Sequence, residues 1–211
     1  MAFTYYLPDE TGNKVEHGTS SNSLVIIGAN GSGKSKLGAW IEQKDMEKVH
    51  RIGAQRNLNF QENVPLKSYS QAEDFVFYGS DDKSSQKSKH QRWNWGKSYT
   101  TKLMDDFDNV LAALIALKNY DNEKYVKECK AALSRAERPD PPFTAIDKLI
   151  QIWDEIFPQR KLEVNDAKFL ASMRDGTGTP YNSNQMSDGE RAVLYLAAQV
   201  LCVPQNKTLI I

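Results

Sequence analysis

The sequence predicts an α/β fold with a helical block inserted between its two halves. A continuous apolar run, "SLVII" at residues 23–27, leads into a glycine-rich loop and then a helical pattern. A second apolar run, "KTLII" at residues 207–211, follows another helical pattern. Such runs are typical of strands that are buried on both faces of a parallel sheet. The strand-to-helix alternation at both ends therefore indicates one α/β core.

Three regions follow from the changes in pattern along the chain. Residues 1–56 form the first half of the core, residues 57–160 the insertion, and residues 161–211 the second half. The insertion begins at residue 57 with its least regular region, in which we expect the polar, lysine-rich stretch at residues 79–98 to be a mobile surface loop. Three helices follow, in "KLMDDFDNVLAALIALKNY", "NEKYVKECKAALSRAE" and "FTAIDKLIQIWDEIF". "KLEV" and "AKFLASM" predict two strands around a turn at Asn165 and Asp166.

The bulk composition excludes several classes of protein. The 211 residues carry 27 basic and 27 acidic side chains, so the chain is not a general polyanion binder. The 2 cysteines lie far apart, and the 3 histidines show no metal-ligand spacing, which favours reduced thiols and no zinc site. No signal peptide or membrane-spanning run is present, and we therefore expect a cytoplasmic protein without membrane contact.

The stretch "GANGSGKS" fits the phosphate-binding loop pattern G-x-x-x-x-G-K-[ST] at every position. Gly28 lets the chain leave the preceding strand sharply, and Gly31 and Gly33 allow conformations that point successive N–H groups inward. Lys34 reaches the β- and γ-phosphates, and the Ser35 hydroxyl binds Mg²⁺. The predicted ATP-binding residues of this loop are Gly28, Asn30, Gly31, Ser32, Gly33, Lys34 and Ser35.

A second motif lies far downstream, in "MSDGERAVLYLAAQVL". Ser187 and the Gly189 N–H stand at the start of an apolar helix, where the helix dipole and unpaired N–H groups favour an anion. Ser187 followed by Glu190 also fits a capping box, in which the two residues only stabilise the helix end.

Together the two motifs resemble those of ATP-binding-cassette ATPases and their SMC-like relatives. Ser187, Gly189 and Glu190 match the signature S-x-G-[EQ], and Asp188 replaces a frequent glycine. The resemblance implies a P-loop NTPase with an inserted helical subdomain, in which Lys34 is catalytic and residues 187–190 contact the γ-phosphate of ATP on a second subunit. A head-to-tail homodimer, or a higher homo-oligomer, held by ATP follows from that arrangement.

Two further family elements are less clear in the sequence. The family expects Asp-Glu after the last apolar run, so we expect residues 1–211 to be the N-terminal part of a longer ATPase and inactive by themselves. A glutamine that contacts Mg²⁺ is expected after an early strand. Gln55 is the first candidate, followed by Gln61 and Gln71, and each is also compatible with an ordinary surface glutamine.

The helical middle and the signature helix resemble, more loosely, stand-alone bacterial ATPases of the OLD and PARIS type, which act in phage defence. This resemblance implies a partner effector, such as a nuclease. One alternative is a DNA repair or recombination ATPase that binds nucleic acid through the loop from Lys83 to Lys97, where basic residues alternate with Trp93 and Trp95. Another is a scaffold that assembles on ATP without turnover. A solvated loop that its tryptophans dock onto the core is also compatible with this stretch.

Overall fold

The computed structural model describes residues 3–94, 99–204 and 207–211. The described strands are β1 (Phe3–Pro8), β2 (Lys14–Thr19), β3 (Val49–Arg51), β4 (Arg160–Asn165), β5 (Lys168–Met173) and β6 (Thr208–Ile210). The described helices are α1 (Lys34–Lys44), α2 (Tyr69–Tyr78), α3 (Lys83–Gln86), α4 (His90–Trp93), α5 (Phe107–Ala131), α6 (Ala145–Ile156) and α7 (Asp188–Cys202). These strands form three two-stranded sheets: β1 with β2, β3 with β6, and β4 with β5.

The parallel pair of β3 and β6 joins the two ends of the chain. Val49 lies opposite Thr208, and Arg51 lies opposite Ile210. Strand β6 was predicted from the apolar run at residues 207–211, and this prediction is confirmed. A parallel pair requires a long crossover connection, which here is the whole stretch between β3 and β6.

The expected strand at residues 23–27 is not formed, and this prediction is wrong for the structure described. The segment pairs with none of the described strands, and Val25 and Ile27 are 79% and 91% exposed. An extended segment becomes a β-strand only through hydrogen bonds to a neighbour, and no described strand takes that place. The apolar run therefore lies open to solvent directly before the glycine-rich loop.

The helical block differs from the prediction at its start and its middle. Helix α5 begins at Phe107, so Leu103 lies outside it and is 59% exposed. The two helices expected on either side of Asp121 are one helix of 25 residues. Neither Gly nor Pro stands near Asp121, and polar residues alone do not interrupt a helix.

The region before this block, for which no helix was predicted, is more regular than expected. Helix α2 starts at the N-cap Ser68, ends at Gly79 in a left-handed conformation, and buries Ala72, Val76 and Phe77. It packs closely against α5. The sequence analysis missed it because the helix is only 10 residues long and lies between polar stretches.

The insertion and the second half of the chain share one hydrophobic core. Leu111 of α5 and Trp153 of α6 belong to the same buried cluster as Phe169 of β5 and Leu194 of α7. Helix α6 and the β4–β5 hairpin form as predicted, but the hairpin turn lies one residue later than predicted, at Asp166 and Ala167, both in left-handed conformations. Among the described residues, no helix is both long enough and apolar enough to cross a membrane.

Candidate nucleotide-binding site

The loop at residues 28–35 has the backbone that its glycines predict. Gly31 has φ 82° and Gly33 has φ 92°, values that other residues rarely adopt. A Cβ on Gly28 would lie 2.6 Å from the Ser32 hydroxyl, so the Ser32 side chain would have to turn away. Gly33 directly precedes the first residue of α1, so the loop opens onto the N-terminus of that helix. Such a loop can receive an anion on its N–H groups.

The Lys34 side chain folds back over this loop. Its Nζ donates to the carbonyl oxygens of Gly28, at 2.7 Å, and Ala29, at 2.8 Å. Both bonds are exposed, so water or phosphate oxygens can replace them at low cost. The ammonium group is thus held against the backbone of the loop.

The donor chemistry at this site fits Mg²⁺ in part. Ser35 is exposed on the first turn of α1 and offers a hydroxyl oxygen. Gln55 is exposed on the segment that follows β3, and its backbone oxygen accepts from the Met104 N–H at 3.0 Å. Mg²⁺ prefers oxygen ligands and usually keeps several waters, with the remainder supplied by nucleotide phosphates. Among the described residues there is no cluster of three or more His, Cys, Asp or Glu that could hold a metal by itself.

The second motif forms the N-terminus of α7 as a complete capping box. The Ser187 hydroxyl accepts from the Glu190 N–H at 3.2 Å, and Glu190 Oε2 accepts from the Ser187 N–H at 2.8 Å. Ser187, Asp188 and Gly189 are nevertheless exposed. The helix end is therefore both self-stabilised and open to solvent.

Glu190 has a structural environment rather than an open one. Glu190 is 5% exposed. Its Oε1 accepts from the Tyr181 hydroxyl at 2.6 Å, and Arg160 Nε lies 3.7 Å from the same oxygen. Burial opposes its ionisation, but the hydrogen bonds from Tyr181 and Ser187 prevail and hold the pKa of Glu190 below its ordinary value. Burial and this carboxylate raise the pKa of Tyr181 to about 12. Glu190 thus fixes the helix end, and its direct contact with ATP stays a prediction.

Arg191 lies directly after the second motif and was not among the residues predicted from the sequence. Its Nη2 donates to Asp188 Oδ1 at 2.6 Å and its Nη1 donates to Asn59 Oδ1 at 2.8 Å. A cation in the first turn of a helix opposes the helix dipole, and Asp188 offsets this cost. The basic residue directly after the motif was the only signal in the sequence.

The two motifs are not joined to each other within the chain. Among the residues that the structure describes, no hydrogen bond or ion pair links residues 28–35 to residues 187–190. Gln55 likewise forms no side-chain bond to either motif within the described part of the chain. Each motif therefore presents a separate exposed surface.

Two basic residues of the stretch from Lys83 to Lys97 are buried and add nothing to a cationic surface, whereas Lys83 and Lys87 are exposed. Lys89 and Arg92 are 0% and 2% exposed, and they pair with Glu42 and Asp106. Trp93 is also buried, as the docked-loop alternative expected. Buried, neutralised cations cannot contact phosphate, because they are needed to balance internal carboxylates. Trp95 and Lys97 lie outside the described residues.

Comparisons of the chain with protein-family models, with curated proteins and with solved structures give no match. A functional assignment therefore depends on the residues themselves and on their geometry.

Proposed function

We propose that the chain is an ATP-binding head of the ATP-binding-cassette type, which binds ATP-Mg²⁺ and associates head to tail with a second copy. The observation that carries this proposal is the loop at residues 28–35. This loop combines three features: two glycines in left-handed conformations, a lysine held over the loop, and the start of α1. This combination supports a phosphate site more strongly than the sequence pattern alone, because an accidental glycine-rich turn need not place all three.

ATP binding replaces the internal bonds of Lys34 with bonds to phosphate. The ammonium leaves the carbonyl oxygens of Gly28 and Ala29 and contacts the β- and γ-phosphates, where a charge-assisted bond is stronger. The loop N–H groups and the α1 N-terminus hold the β-phosphate. Ser35 supplies one oxygen to Mg²⁺, with Gln55 as a further candidate ligand.

The exposed end of α7 supports the second part of the proposal. Ser187 and the Gly189 N–H offer an anion site that has no lysine of its own, so it is suited to the γ-phosphate of ATP held by another copy. Two copies would then enclose two ATP molecules. We propose that this ATP-dependent association controls an effector protein, as the looser resemblance to phage-defence ATPases implies. Burial of Lys89 and Arg92 makes direct action on DNA the less favoured alternative.

Titration with a fluorescent ATP analogue in the presence of Mg²⁺ tests the proposal. We expect Lys34→Ala to weaken binding by at least about tenfold, since it removes a charge-assisted contact. Lys36→Ala is the matched control, because Lys36 is an exposed lysine on the same turn of α1. Its affinity should stay within about twofold of the unmodified chain. Equal binding by the Lys34→Ala variant and the unmodified chain would overturn the proposal.

A further inference from the structure

A buried polar cluster begins on α1, the helix that follows the phosphate loop. Glu42 lies near its C-terminal end and is 0% exposed. Its Oε1 accepts from Lys89 Nζ at 2.9 Å, and its Oε2 accepts from Arg51 Nε at 3.1 Å. Lys89 Nζ also donates to the Val49 carbonyl oxygen, so α1, β3 and the start of α4 are held by one carboxylate.

The cluster continues through Arg92 of α4. Its Nη1 donates to Asp106 Oδ2 at 3.1 Å and to the Val76 carbonyl oxygen at 2.7 Å. Its Nη2 donates to the Arg51 carbonyl oxygen at 3.2 Å. Arg92 therefore ties β3 and α2 to Asp106, the residue directly before α5.

The other end of the cluster lies on α7, the helix that begins at the second motif. The Tyr195 hydroxyl donates to Asp106 Oδ1 at 2.7 Å, and Gln199 Nε2 donates to Asp106 Oδ2 at 3.0 Å. Gln199 Oε1 lies 3.0 Å from His50 Nε2, which must carry the proton to donate. Burial and the nearby Arg92 hold the pKa of His50 well below its ordinary value, so His50 is neutral.

The middle of the cluster contains one residue in an uncommon backbone conformation. Helix α4 is a single turn between Lys89, with φ 49°, and Asn94, which ends the helix with φ 52°. Asparagine adopts the left-handed region readily at a helix end, but lysine keeps it only where surrounding contacts hold it. Here the contacts are the buried bonds of Lys89 and Arg92, so α4 has a reason to change conformation when those bonds are disturbed.

We propose that this cluster is a relay that transmits a displacement of α1 to α7, with α4 as the element that changes position. The proposal rests on the proposed function, since ATP at the loop is the event that displaces α1. Glu42 lies eight residues after Lys34, about 12 Å along a stiff helix. Because Glu42 has no access to solvent, a shift of α1 must move Lys89 and Arg51 with it. Arg92 and Asp106 then carry the change to Gln199 and Tyr195.

A double-variant cycle tests the cluster without ATP. Glu42 and Gln199 do not contact each other, and changes at separated, unconnected sites multiply the unfolding equilibrium constant to within about twofold. We expect Glu42→Gln and Gln199→Leu each to raise the unfolding equilibrium constant by some factor. In the double variant, the constant should be raised by more than about threefold less than the product of these two factors. Glu42→Gln with Gln151→Leu is the control, because Gln151 is exposed on α6 and bonds only to Glu155 there. If the effects of Glu42→Gln and Gln199→Leu on the unfolding constant multiply as closely as those of the control pair, the relay is overturned.

Hydrogen exchange of the full chain, with and without ATP-Mg²⁺, tests the transmission. We expect ATP to slow exchange at residues 28–37 and to change it at residues 194–202. Gln199→Leu should abolish the change at residues 194–202 and leave the slowing at residues 28–37. If Gln199→Leu does not fold, Tyr195→Phe, which removes one hydroxyl, takes its place and should reduce the change at residues 194–202. Gln151→Leu should leave both effects intact.

The outcomes separate the two proposals. A response at the loop without one at residues 194–202 overturns the relay and leaves the proposed function standing. No response at the loop overturns the proposed function and, with it, the relay. The response at residues 194–202 must be the same at two protein concentrations tenfold apart; a response that grows with concentration is a dimer contact and also overturns the relay.

Discussion

Glu42 and Lys89 form an ion pair with an Oε1–Nζ distance of 2.9 Å, and neither side chain is accessible to solvent. The two residues are 47 positions apart in sequence. Lys89 belongs to a stretch that by composition should be a solvated loop. The ion pair instead brings this stretch against α1, the helix that follows the glycine-rich loop, and it explains why α4 belongs to the core.

Removal of the Glu42 charge should destabilise the chain strongly. Glu42→Gln leaves Lys89 and Arg51 buried without a compensating carboxylate, and such changes cost roughly 3–5 kcal/mol of unfolding free energy. Lys83→Met is the control, because it breaks the Lys83–Asp74 pair, whose lysine side chain is 81% exposed. Its effect should be below about 1 kcal/mol. Urea unfolding of both variants checks the prediction, and equal losses would show that the Glu42 site is not desolvated.

The pH dependence of stability should carry the signature of Lys89. Burial, opposed by Glu42, lowers the pKa of Lys89 to about 8 from its ordinary value of 10.5. Between these values the unfolded chain binds more protons than the folded chain, so this contribution to stability rises with pH. It is fully present above about pH 10.5 and is lost as the pH falls through about 8.

The difference in unfolding free energy between the unmodified chain and the Lys89→Met variant isolates the contribution of Lys89 to the pH dependence. Tyr195 and Cys202, whose pKa values burial raises, are present in both proteins and cancel. The charged groups that face Lys89, namely Glu42, Arg92 and Lys207, are also common to both. Between about pH 8 and pH 10, the unfolding free energy of the unmodified chain should rise relative to Lys89→Met by up to about 1.4 kcal/mol per pH unit. A flat or falling difference would mean that Lys89 keeps an ordinary pKa.

Substitution of Gly31 and of Gly12 distinguishes an effect on backbone strain from an effect on ATP binding. Both have φ 82°, and a Cβ on either would meet no atom within 4 Å. Gly31→Ala and Gly12→Ala should therefore each cost about 1 kcal/mol of stability for the left-handed conformation. Only Gly31→Ala should weaken ATP binding, since Gly12 lies in the β1–β2 turn. Equal ATP affinity of the two variants would exclude a phosphate site at residues 28–35.

Local signals allowed the left-handed backbone of the loop at residues 28–35 and the capping box of α7 to be predicted from the sequence. Gly33 directly before Lys34 fixes a left-handed residue at a helix start, and Ser187 with Glu190 fixes a capping box. Both depend on residues within a few positions of each other. For this reason a single sequence is sufficient to place them.

The buried cluster and the state of residues 23–27 could not be predicted in this way. The Asp106–Gln199 bond joins residues 93 positions apart, and nothing local distinguishes either from a surface residue. The apolar run before the loop has the pattern of a buried strand, but pairing depends on a neighbour elsewhere in the fold. In each case the deciding contact is long-range, and the local pattern is compatible with more than one outcome.

The end of α7 allows association to be tested separately from folding. Ser187→Asp keeps a good N-cap, so the free energy of unfolding should stay within about 1 kcal/mol of the unmodified value. The added carboxylate should repel the γ-phosphate of ATP on a second copy, so ATP-dependent dimers should disappear while ATP binding at Lys34 persists. Ser68→Asp is the matched control, because Ser68 is an exposed N-cap of α2 that pairs with Gln71 three residues on.

Light scattering after size-exclusion chromatography, with and without ATP-Mg²⁺, measures the difference between these two variants. The Ser68→Asp variant should associate as the unmodified chain does, since the same charge is added at the same kind of helix end. If Ser187→Asp also associates normally, the α7 end does not face phosphate, and its capping box is only structural. If both variants lose association, the added charge acts through the net charge of the chain and not through this site.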